Sequence, residues 1–403
     1  MTTAAPGSPG SATIDTLSLP REPTDLASRV RWIVLASSAT IVAGILWDIS
    51  WHKTIGRDTF WTAPHLLEQL GALVSGLSCG WLVLRTTFTG SPGERDRSVR
   101  FWGFRGPLGA WLTIWGTFVM ITSAPFDDWW HNAYGLDVKI MSPPHMVLAV
   151  GMIAVVLGGM LMVLAAQNRA TDAVEVRRLA AAFAFAGGLL VVMVATMVSE
   201  YASRANTMHQ PLFYQVAGLC FPVLLVAFGR SGRLRYPATA SAAVYTGIIL
   251  ATMWILQLFP GEARLAPIYT PVTHMVPPEF PLLLVVPALA IDLLLRRAGR
   301  GRDWRLALGL GVSFTALLLG MQWYFGEFLL SPAARNWFFA ADQWPYMVRP
   351  GAWQHRFWGV PTAPDGGLDV PALARGLAFA GLVAAVSARV GLWWGSGMSR
   401  VMR

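Results

Sequence analysis

Two apolar runs flank a short polar segment in residues 31–86, RWIVLASSATIVAGILWDISWHKTIGRDTFWTAPHLLEQLGALVSGLSCGWLVLRT. Each run has roughly the 20 residues that an α-helix needs to cross the hydrocarbon core of a bilayer. The stretch therefore predicts a helix-loop-helix unit whose two helices span a membrane, with polar side chains at the turn between them.

Apolar runs of this kind recur along all 403 residues of the chain, which is 54% hydrophobic and only 13% charged. Soluble domains carry about twice that share of charged residues. We predict an all-α, polytopic integral membrane protein with about ten transmembrane helices in helix-loop-helix repeats. The predicted spans lie near residues 31–48, 65–86, 106–124, 144–166, 178–198, 211–229, 238–259, 278–296, 305–325 and 372–394.

The charge pattern predicts the orientation of the chain. Arginine clusters near residues 29–31, 95–105, 169–178, 230–235 and 296–305 alternate with loops that are poor in lysine and arginine. The positive-inside rule then puts both termini in the cytoplasm of a cell whose inner (plasma) membrane holds the chain. The net charge of +9 concerns topology and lipid contact, and we expect no nucleic-acid partner. All seven histidines fall on the non-cytoplasmic side: His52, His65, His131, His145, His209, His274 and His355.

The chain divides into five segments by composition. Residues 1–28 are rich in Ser, Thr, Pro, Ala and Gly and are predicted to form a disordered tail. Residues 29–170 form a membrane domain with two duplicated units, and residues 171–325 supply further transmembrane helices. Residues 326–371 are rich in tryptophan and are predicted to form a non-cytoplasmic lid, and residues 372–403 form the last helix and tail.

The duplicated units carry the same polar pattern. Residues 47–65 read WDISWHKTIGRDTFWTAPH, and residues 126–145 read FDDWWHNAYGLDVKIMSPPH. Both read aromatic-Asp-x-x-Trp-His, then Gly four residues after the His, Asp two residues later, and Pro-His at the end. In a chain with only seven histidines, this repetition indicates a shared function.

Each copy contains one carboxylate and two imidazoles, which are ligands that suit copper, zinc or iron. The sets are Asp48, His52 and His65 in the first unit, and Asp127, His131 and His145 in the second. The Asp and the first His are four residues apart and share a helix face, whereas the second His follows a proline at the start of the next helix. We therefore predict two metal sites, each held between neighbouring helices.

Three further acids belong to this hypothesis. Asp58 and Asp137 recur at the same place in both copies, where a carboxylate could orient a ligating imidazole through its distal N–H. Glu68 follows His65 by one turn and could be a fourth ligand or a proton relay. The alternative is that Trp-His and Pro-His mark helix ends at the membrane interface, with each Asp as a cap or an ion-pair partner. The catalytic residues stay unassigned.

The histidines and acids outside the two copies favour structural roles. His209, His274 and His355 are single histidines at the interface, and Glu200 and Glu279 lie at span ends, where a capping or snorkelling acid is common. Cys79 and Cys220 are the only cysteines, and both lie in apolar runs where packing is their expected role.

Residues 48–65 resemble the metal-binding helix-loop-helix of the C subunit of copper membrane monooxygenases, the particulate methane and ammonia monooxygenases. Beside the ligands, the residues that match are Ser50, Trp51, Thr54, Arg57, Asp58, Thr59 and Thr62. The second copy resembles the second metal site of that subunit, which has Asn where this chain has Asp127. The resemblance covers roughly residues 30–170, and it implies copper at both sites, O2 activation nearby, and further subunits that include a periplasmic copper-binding one.

Two functions follow from these patterns. The first is a copper-dependent membrane oxidoreductase, a monooxygenase or a subunit of one, that hydroxylates a small apolar substrate. Quinol is the expected electron donor because the sequence has no flavin or haem motif. The alternative is a metal transporter or a metallocentre assembly protein without catalysis, although spans two, four and six are almost wholly apolar, which disfavours a conducting path.

Overall fold

The computed structural model describes residues 26–56, 61–135, 142–265, 272–298, 303–342 and 357–403. These ranges contain twelve α-helices, one β-hairpin and two 3-10 turns. The helices are α1 Leu26–Thr54, α2 Ala63–Phe88, α3 Pro92–Asp96, α4 Leu108–Tyr134, α5 Pro143–Arg169, α6 Ala173–Met197, α7 Ser199–Ala202, α8 Pro211–Ser231, α9 Pro237–Leu256, α10 Val285–Arg297, α11 Asp303–Leu330 and α12 Val370–Met398. The hairpin pairs β1 Val99–Phe101 with β2 Phe104–Gly106, and the turns are Ala205–Thr207 and Pro332–Ala334.

Nine helices in the described part of the chain are long and apolar enough to cross a membrane, namely α1, α2, α4, α5, α6, α8, α9, α11 and α12. The prediction of an all-α, polytopic membrane protein is therefore confirmed. The helices coincide with nine of the ten predicted spans but extend past most of their ends. α1, for example, continues beyond Asp48 to Thr54, so it carries Asp48 and His52 on its last two turns.

The predicted span at residues 278–296 is the exception, because only α10 is helical there. A helix of 13 residues is about 20 Å long, whereas the hydrocarbon core is roughly 30 Å thick. Residues 272–284 before α10 are not helical. Pro277, Pro278 and Pro281 lie in that stretch, and each removes a backbone donor and clashes with a preceding helical turn.

The segment 272–297 nevertheless runs the length of α9 in the opposite direction. At one end, His274 forms an antiparallel bridge with Pro260, just after α9. At the other end, the Asp292 carboxylate accepts hydrogen bonds from the backbone N–H groups of Ala238 and Thr239 in the first turn of α9, at 3.2 and 2.8 Å. Residues 272–297 thus cross the bundle in addition to the nine long helices, with an extended half before a helical half. We call this segment the broken crossing.

Side chains satisfy the backbone of the extended half. The Leu282 N–H donates to the Tyr245 hydroxyl at 3.0 Å, and the Leu283 N–H donates to Gln322 Oε1 at 3.2 Å. Inside a membrane protein, backbone groups that leave a helix need such partners because no water replaces the lost hydrogen bonds.

The two ends of the described chain lie on the same side of the helix bundle. Asn168, at the end of α5, donates to the carbonyls of Met398 and Val401 after α12, at 3.0 and 2.8 Å. The Arg178 guanidinium, near the start of α6, lies 4.7 Å from the centre of the Trp32 ring near the start of α1. The nine long helices and the broken crossing make ten crossings, and an even number places both ends on the same side. The cytoplasmic assignment of that side stays a prediction from the arginine pattern.

Glycines let the antiparallel helices α4 and α5 approach closely. A Cβ at position 116 would lie 2.8 Å from the Gly151 carbonyl oxygen, and a Cβ at position 158 would lie 2.7 Å from the Gly109 carbonyl oxygen. Small residues drive such packing in membranes, where burial of apolar area gives little. The resulting register puts the end of α4 beside the start of α5.

Helices α1 and α2 pack in the same manner. A Cβ at Gly71 would lie 2.8 Å from Ile41 Cγ1, and one at Gly44 would lie 2.5 Å from Glu68 Cγ. The alignment of α1 with α2 at these contacts is kept up to the ends of the two helices. It places Asp48, one turn after Gly44, beside His65 at the start of α2.

The predicted lid needs one correction, because α11 continues to Leu330 and residues 326–330 are therefore helical. Its described remainder packs on the end of α9 and on the turn Ala205–Thr207. The Trp337 ring stacks 6.3 Å from Trp254, and the Trp358 backbone N–H donates to the Asn206 carbonyl at 2.8 Å. Residues 343–356 lie outside the described residues, as do residues 1–25 of the predicted tail. Residues 26–28 belong to α1 instead.

Topology can be tested by attaching a membrane-impermeant maleimide to intact cells that carry Arg97→Cys or Asn336→Cys. Both positions are exposed, while Cys79 is buried and Cys220 lies within a membrane helix. We expect labelling at position 336 and none at position 97 or in the wild type. Labelling at position 97 but not at position 336 would show that the orientation is opposite to the predicted one.

Glycine packing predicts that Gly116→Ala destabilises the protein, because the new methyl group meets the Gly151 carbonyl. Overpacking of this kind costs about 1–3 kcal/mol, so thermal unfolding in detergent should begin several degrees lower. Gly80→Ala is the matched control, since a Cβ there meets no atom within 4 Å. Equal melting curves for the two variants would contradict the proposed contact.

Candidate metal centres

The first predicted ligand set comes together at the junction of α1 and α2. Asp48 Oδ1 lies 3.3 Å from His52 Nε2 and 3.0 Å from His65 Nε2. Asp48 is buried, with 8% of its surface exposed, and the two imidazoles are half-buried. The three donor atoms all lie within 4.8 Å of one another, as a shared metal ion would require.

The second set repeats this geometry at the junction of α4 and α5. Asp127 Oδ1 lies 3.3 Å from His131 Nε2 and 3.7 Å from His145 Nε2, again with all three atoms within 4.8 Å. It is more open than the first set, because 28% of the Asp127 side chain is exposed against 12% for Asp48. Both predicted sets are thus assembled by the fold.

Local sequence explains how each junction forms. Gly56 and Gly135 occupy the same place in the two copies and have positive φ angles of 110° and 85°, a conformation that glycine adopts without strain. Each reverses the chain after the first helix. Pro64 and Pro144 then occupy the first turn of the second helix, where a missing N–H costs nothing. The histidine after each proline thereby meets the preceding helix.

The separations between donor atoms fit a transition metal. Ligands at about 2.0–2.1 Å from an ion are roughly 3.0–3.6 Å apart for angles of about 90–120°, and the observed separations from the aspartate oxygens run from 3.0 to 3.7 Å. Asp48 Oδ1 and Asp127 Oδ1 are also buried and accept no well-aligned hydrogen bond. A cation would satisfy these oxygens, so the residues present fit a metal ion.

The distal nitrogens of two histidines contact groups that orient the rings. His131 Nδ1 lies 3.2 Å from the Gly135 carbonyl oxygen, which can only accept, so Nδ1 can donate to it while Nε2 faces Asp127. His65 Nδ1 lies 3.1 Å from the Thr62 hydroxyl. Nε2 is therefore the nitrogen available to a metal.

The sequence had assigned this orienting role to Asp58 and Asp137, both of which lie outside the described residues. It gave no orienting role to Thr62 or Gly135. Thr62 is the N-cap residue of α2, a position where threonine is common, and this could have indicated its contact with His65. A backbone carbonyl leaves no side-chain signal, so the contact with Gly135 could not be read from the sequence.

Glu68 distinguishes the first set from the second. Its carboxylate is buried, with 1% of the residue exposed, and interacts electrostatically with Asp48 and His65. Gly44 leaves room for it. Glu68 is not among the donors that lie within 4.8 Å of one another, which favours a role beside the metal over direct ligation. The corresponding residue of the second unit is Leu148, so that unit has no acid at this place.

The two sets are neighbours within one unit of α1, α2, α4 and α5. Asp48 interacts electrostatically with His145 of the second set as well as with its own histidines. The Thr117 hydroxyl of α4 donates to the Ala72 carbonyl of α2 at 2.9 Å and joins the two helical hairpins. A charge placed at one centre will therefore be felt at the other.

The extended half of the broken crossing and the residues that follow α9 hold the end of α1 in place. The Thr54 hydroxyl accepts a hydrogen bond from the Val276 N–H at 2.7 Å, and the Ile55 carbonyl accepts from the N–H groups of Arg264 and Leu265 at 3.0 and 2.8 Å. Thr54 is two residues after His52. These contacts come from distant sequence and fix the end of the helix that carries the first ligand set.

The remaining histidines lie apart from these sets. His209 is sandwiched between Trp323 and Phe357, with ring centres 3.8 and 3.5 Å away, and its burial lowers the pKa of the imidazole. His274 Nε2 lies 3.8 Å from Asp342 Oδ1. Among the described residues neither joins a group of three metal donors, so structural roles are favoured. His355 lies outside the described residues.

The fold and these sites define a polytopic α-helical membrane protein with two candidate metal centres on one side of the bundle. No protein-family model matches the chain. No curated protein and no solved structure matches it either. The resemblance to the copper monooxygenase subunit therefore rests on the residues quoted for the two polar segments.

Metal content provides a test of the two sets. We expect purified wild-type protein to bind two equivalents of copper, zinc or iron, and His52→Ala and His131→Ala each to lower this by about one equivalent, measured by elemental analysis. His274→Ala is the matched control because, in the part of the chain that the structure describes, its imidazole belongs to no group of three metal donors. Wild-type protein that holds no metal after supplementation would refute both sites.

Proposed function

We propose that this protein is a copper-dependent membrane oxidoreductase, a monooxygenase or a subunit of one, that acts on a small apolar substrate. The observation that carries the proposal is the presence of two neighbouring sets of one carboxylate oxygen and two imidazole Nε2 atoms. Structural metal sites usually have four protein ligands, whereas catalytic sites keep a position open. Three donors per site therefore support reactivity over a purely structural role.

Copper is the metal we propose, with zinc or iron as alternatives that the same ligands would accept. Bound copper would supply one-electron chemistry and a place for O2. Asp48, His52 and His65 would hold it in the first site, and the carboxylate would balance part of its charge. The histidines would bind as neutral imidazoles through Nε2, the nitrogen that faces the aspartate in both sets.

We assign the chemistry to the first site because Glu68 adjoins it. A buried carboxyl group beside Asp48 and His65 can accept or release a proton without becoming a ligand. The second site lacks this acid and has Asp127 where the resembling family has Asn. An added negative charge favours a divalent ion over Cu(I), so the second site would be structural or zinc-tolerant.

The surroundings of both sites suit a substrate that dissolves in the bilayer. Trp47 and Trp51 pack edge to face at 6.2 Å beside the first set, while Phe126 and Trp129 stack at 6.0 Å beside the second. Trp129 is 55% exposed on the outer surface of the helices. Aromatic side chains of this kind form apolar walls and prefer the membrane interface, where such a substrate would collect.

Partners follow from the same proposal. The bilayer covers helix faces such as that of α2, where Leu70, Leu77 and Trp81 are 55%, 72% and 62% exposed. Further monooxygenase subunits, including a periplasmic copper-binding one, would adjoin the metal-bearing side. Quinol in the membrane would supply electrons.

The broken crossing, residues 272–297, favours a second function, metal transport or metallocentre assembly. Transporters commonly bind their ions at helices interrupted by unwound backbone. The interrupted stretch here includes Glu279, whose carboxylate accepts a hydrogen bond from the Ser203 hydroxyl at 2.8 Å, and Lys53 interacts electrostatically with that acid. Metal accumulation by proteoliposomes, without quinol oxidation, would support this alternative.

Substitution of the two aspartates separates the proposed roles. With copper-loaded membranes and a small quinol, we expect Asp48→Asn to abolish oxygen consumption and Asp127→Asn to preserve it. At the second site, Asp127→Asn should also raise the occupancy of Cu(I) relative to Zn2+, because a negative charge is removed.

The histidines provide the decisive comparison for this assignment. Oxygen consumption that survives Asp48→Asn and His52→Ala but is lost in His131→Ala would place the chemistry at the second site. Elemental analysis of each variant shows whether a loss of activity accompanies loss of one copper ion. The His274→Ala variant controls for general effects of removing an outer imidazole.

A further inference from the structure

A basic cavity of about 820 Å3 lies on the side of the bundle opposite the metal sets, between the ends of α8, α9, α10, α11 and α12. Five of its lining residues are arginines: Arg230, Arg235, Arg296, Arg389 and Arg400. Two lining residues are acids, Asp292 and Asp303, which leaves a net charge of +3. Nothing in the proposed oxidoreductase chemistry uses this cavity.

Both acids already have partners within the protein. The Asp292 carboxylate accepts from the backbone N–H groups of Ala238 and Thr239 and from the Thr239 hydroxyl, the last at 2.7 Å. Asp303 Oδ1 lies 3.5 Å from Arg230 Nη1. Asp292 also interacts electrostatically with Arg296. The two acids offset two of the five arginines, and the remaining charge of +3 favours an anionic occupant.

Arg389 has a hydrogen-bonding group that the protein leaves unsatisfied. Its guanidinium lies 5.4 Å from the centre of the Trp304 ring, while its Nε is buried and has no hydrogen-bond partner. An unmade hydrogen bond from a buried charged group is costly. Phosphate oxygens match the planar donor fork of arginine, which suits the cavity to a phosphate group.

Apolar surface leads from this cavity along two neighbouring helices. On α11 and α12 the exposed residues follow helical spacing and continue away from the arginines toward the middle of the bundle. They are Trp304, Leu308 and Val312 on α11, and Trp393, Val390 and Val386 on α12. Residues three or four positions apart share a helix face, so each set forms a stripe that acyl chains can cover.

We propose that the cavity binds the phosphate headgroup of an anionic glycerophospholipid, whose acyl chains lie on the apolar stripes of α11 and α12. Basic pockets between transmembrane helices provide this chemistry. Arg389 would contact the phosphate, and the other arginines of the lining would add positive charge around it. A soluble phosphate compound would use the arginines but gain nothing from the stripes.

Native mass spectrometry of delipidated full-length protein in detergent tests this inference. Phosphatidylglycerol and phosphatidylcholine with identical acyl chains are added separately, and inorganic phosphate and glycerol 3-phosphate serve as soluble competitors. We expect phosphatidylglycerol to bind at least about tenfold more tightly than phosphatidylcholine, with neither competitor displacing it at equal concentration.

Two variants locate the site. Arg389→Gln should weaken phosphatidylglycerol binding by roughly tenfold, since it removes one charge-assisted contact. Ser399→Glu should do the same by adding a negative charge at an exposed position of the cavity, with no loss of an arginine. Arg375→Gln is the matched control, because it changes the same charge at the other end of α12.

Several results would overturn the inference. Equal affinity for the two lipids, or unchanged affinity in both Arg389→Gln and Ser399→Glu, would show that the cavity does not select the anionic headgroup. Displacement of the lipid by either soluble competitor would identify the occupant as a free phosphate compound. Melting curves confirm that each variant is folded, and loss of binding in Ser399→Glu supports the site even if Arg389→Gln fails to fold.

Discussion

Close packing of antiparallel helices through small residues is the constraint on which the candidate metal sites depend. Gly116 meets Gly151 and Gly109 meets Gly158, so α4 and α5 have one register along their length. In a bilayer the tails outside are as apolar as the helices, and close contact replaces the hydrophobic effect as the source of specificity. Each candidate ligand set takes residues from two helices. These residues come together because the register places the end of one helix beside the start of the next.

Ionisable groups near the membrane impose a second constraint, since each must be matched by charge, hydrogen bonds or a bound ion. The two copies meet it differently. In the first, Gly44 makes room for the buried carboxylate of Glu68 beside Asp48, whereas Leu148 stands at that place in the second. Similar ligands thus lie in unlike electrostatic surroundings, which is a physical reason to propose unlike roles.

The broken crossing links the duplicated unit to the rest of the bundle. Val276, in its extended half, donates to Thr54 at the end of α1, while Tyr245 satisfies Leu282 deeper in the bundle. Prolines prevent this half from forming a helix, and the side chains of neighbouring helices replace the hydrogen bonds that a helix would have made. The first ligand set is thereby held by sequence more than 200 positions away.

Hydrophobicity alone determined the membrane class and nine continuous spans, because a helix that crosses lipid must be apolar over its whole length. Spacing alone indicated both candidate ligand sets, since Asp and His four residues apart share a helix face. Hydrophobicity did not separate the span predicted at 278–296 from a continuous helix, although Pro277, Pro278 and Pro281 are a sequence signal for the non-helical residues 272–284. The cradle that Gly44 forms for Glu68 and the arginine cavity join residues on different helices. Only tertiary structure could decide these, because they depend on helix register and not on local sequence.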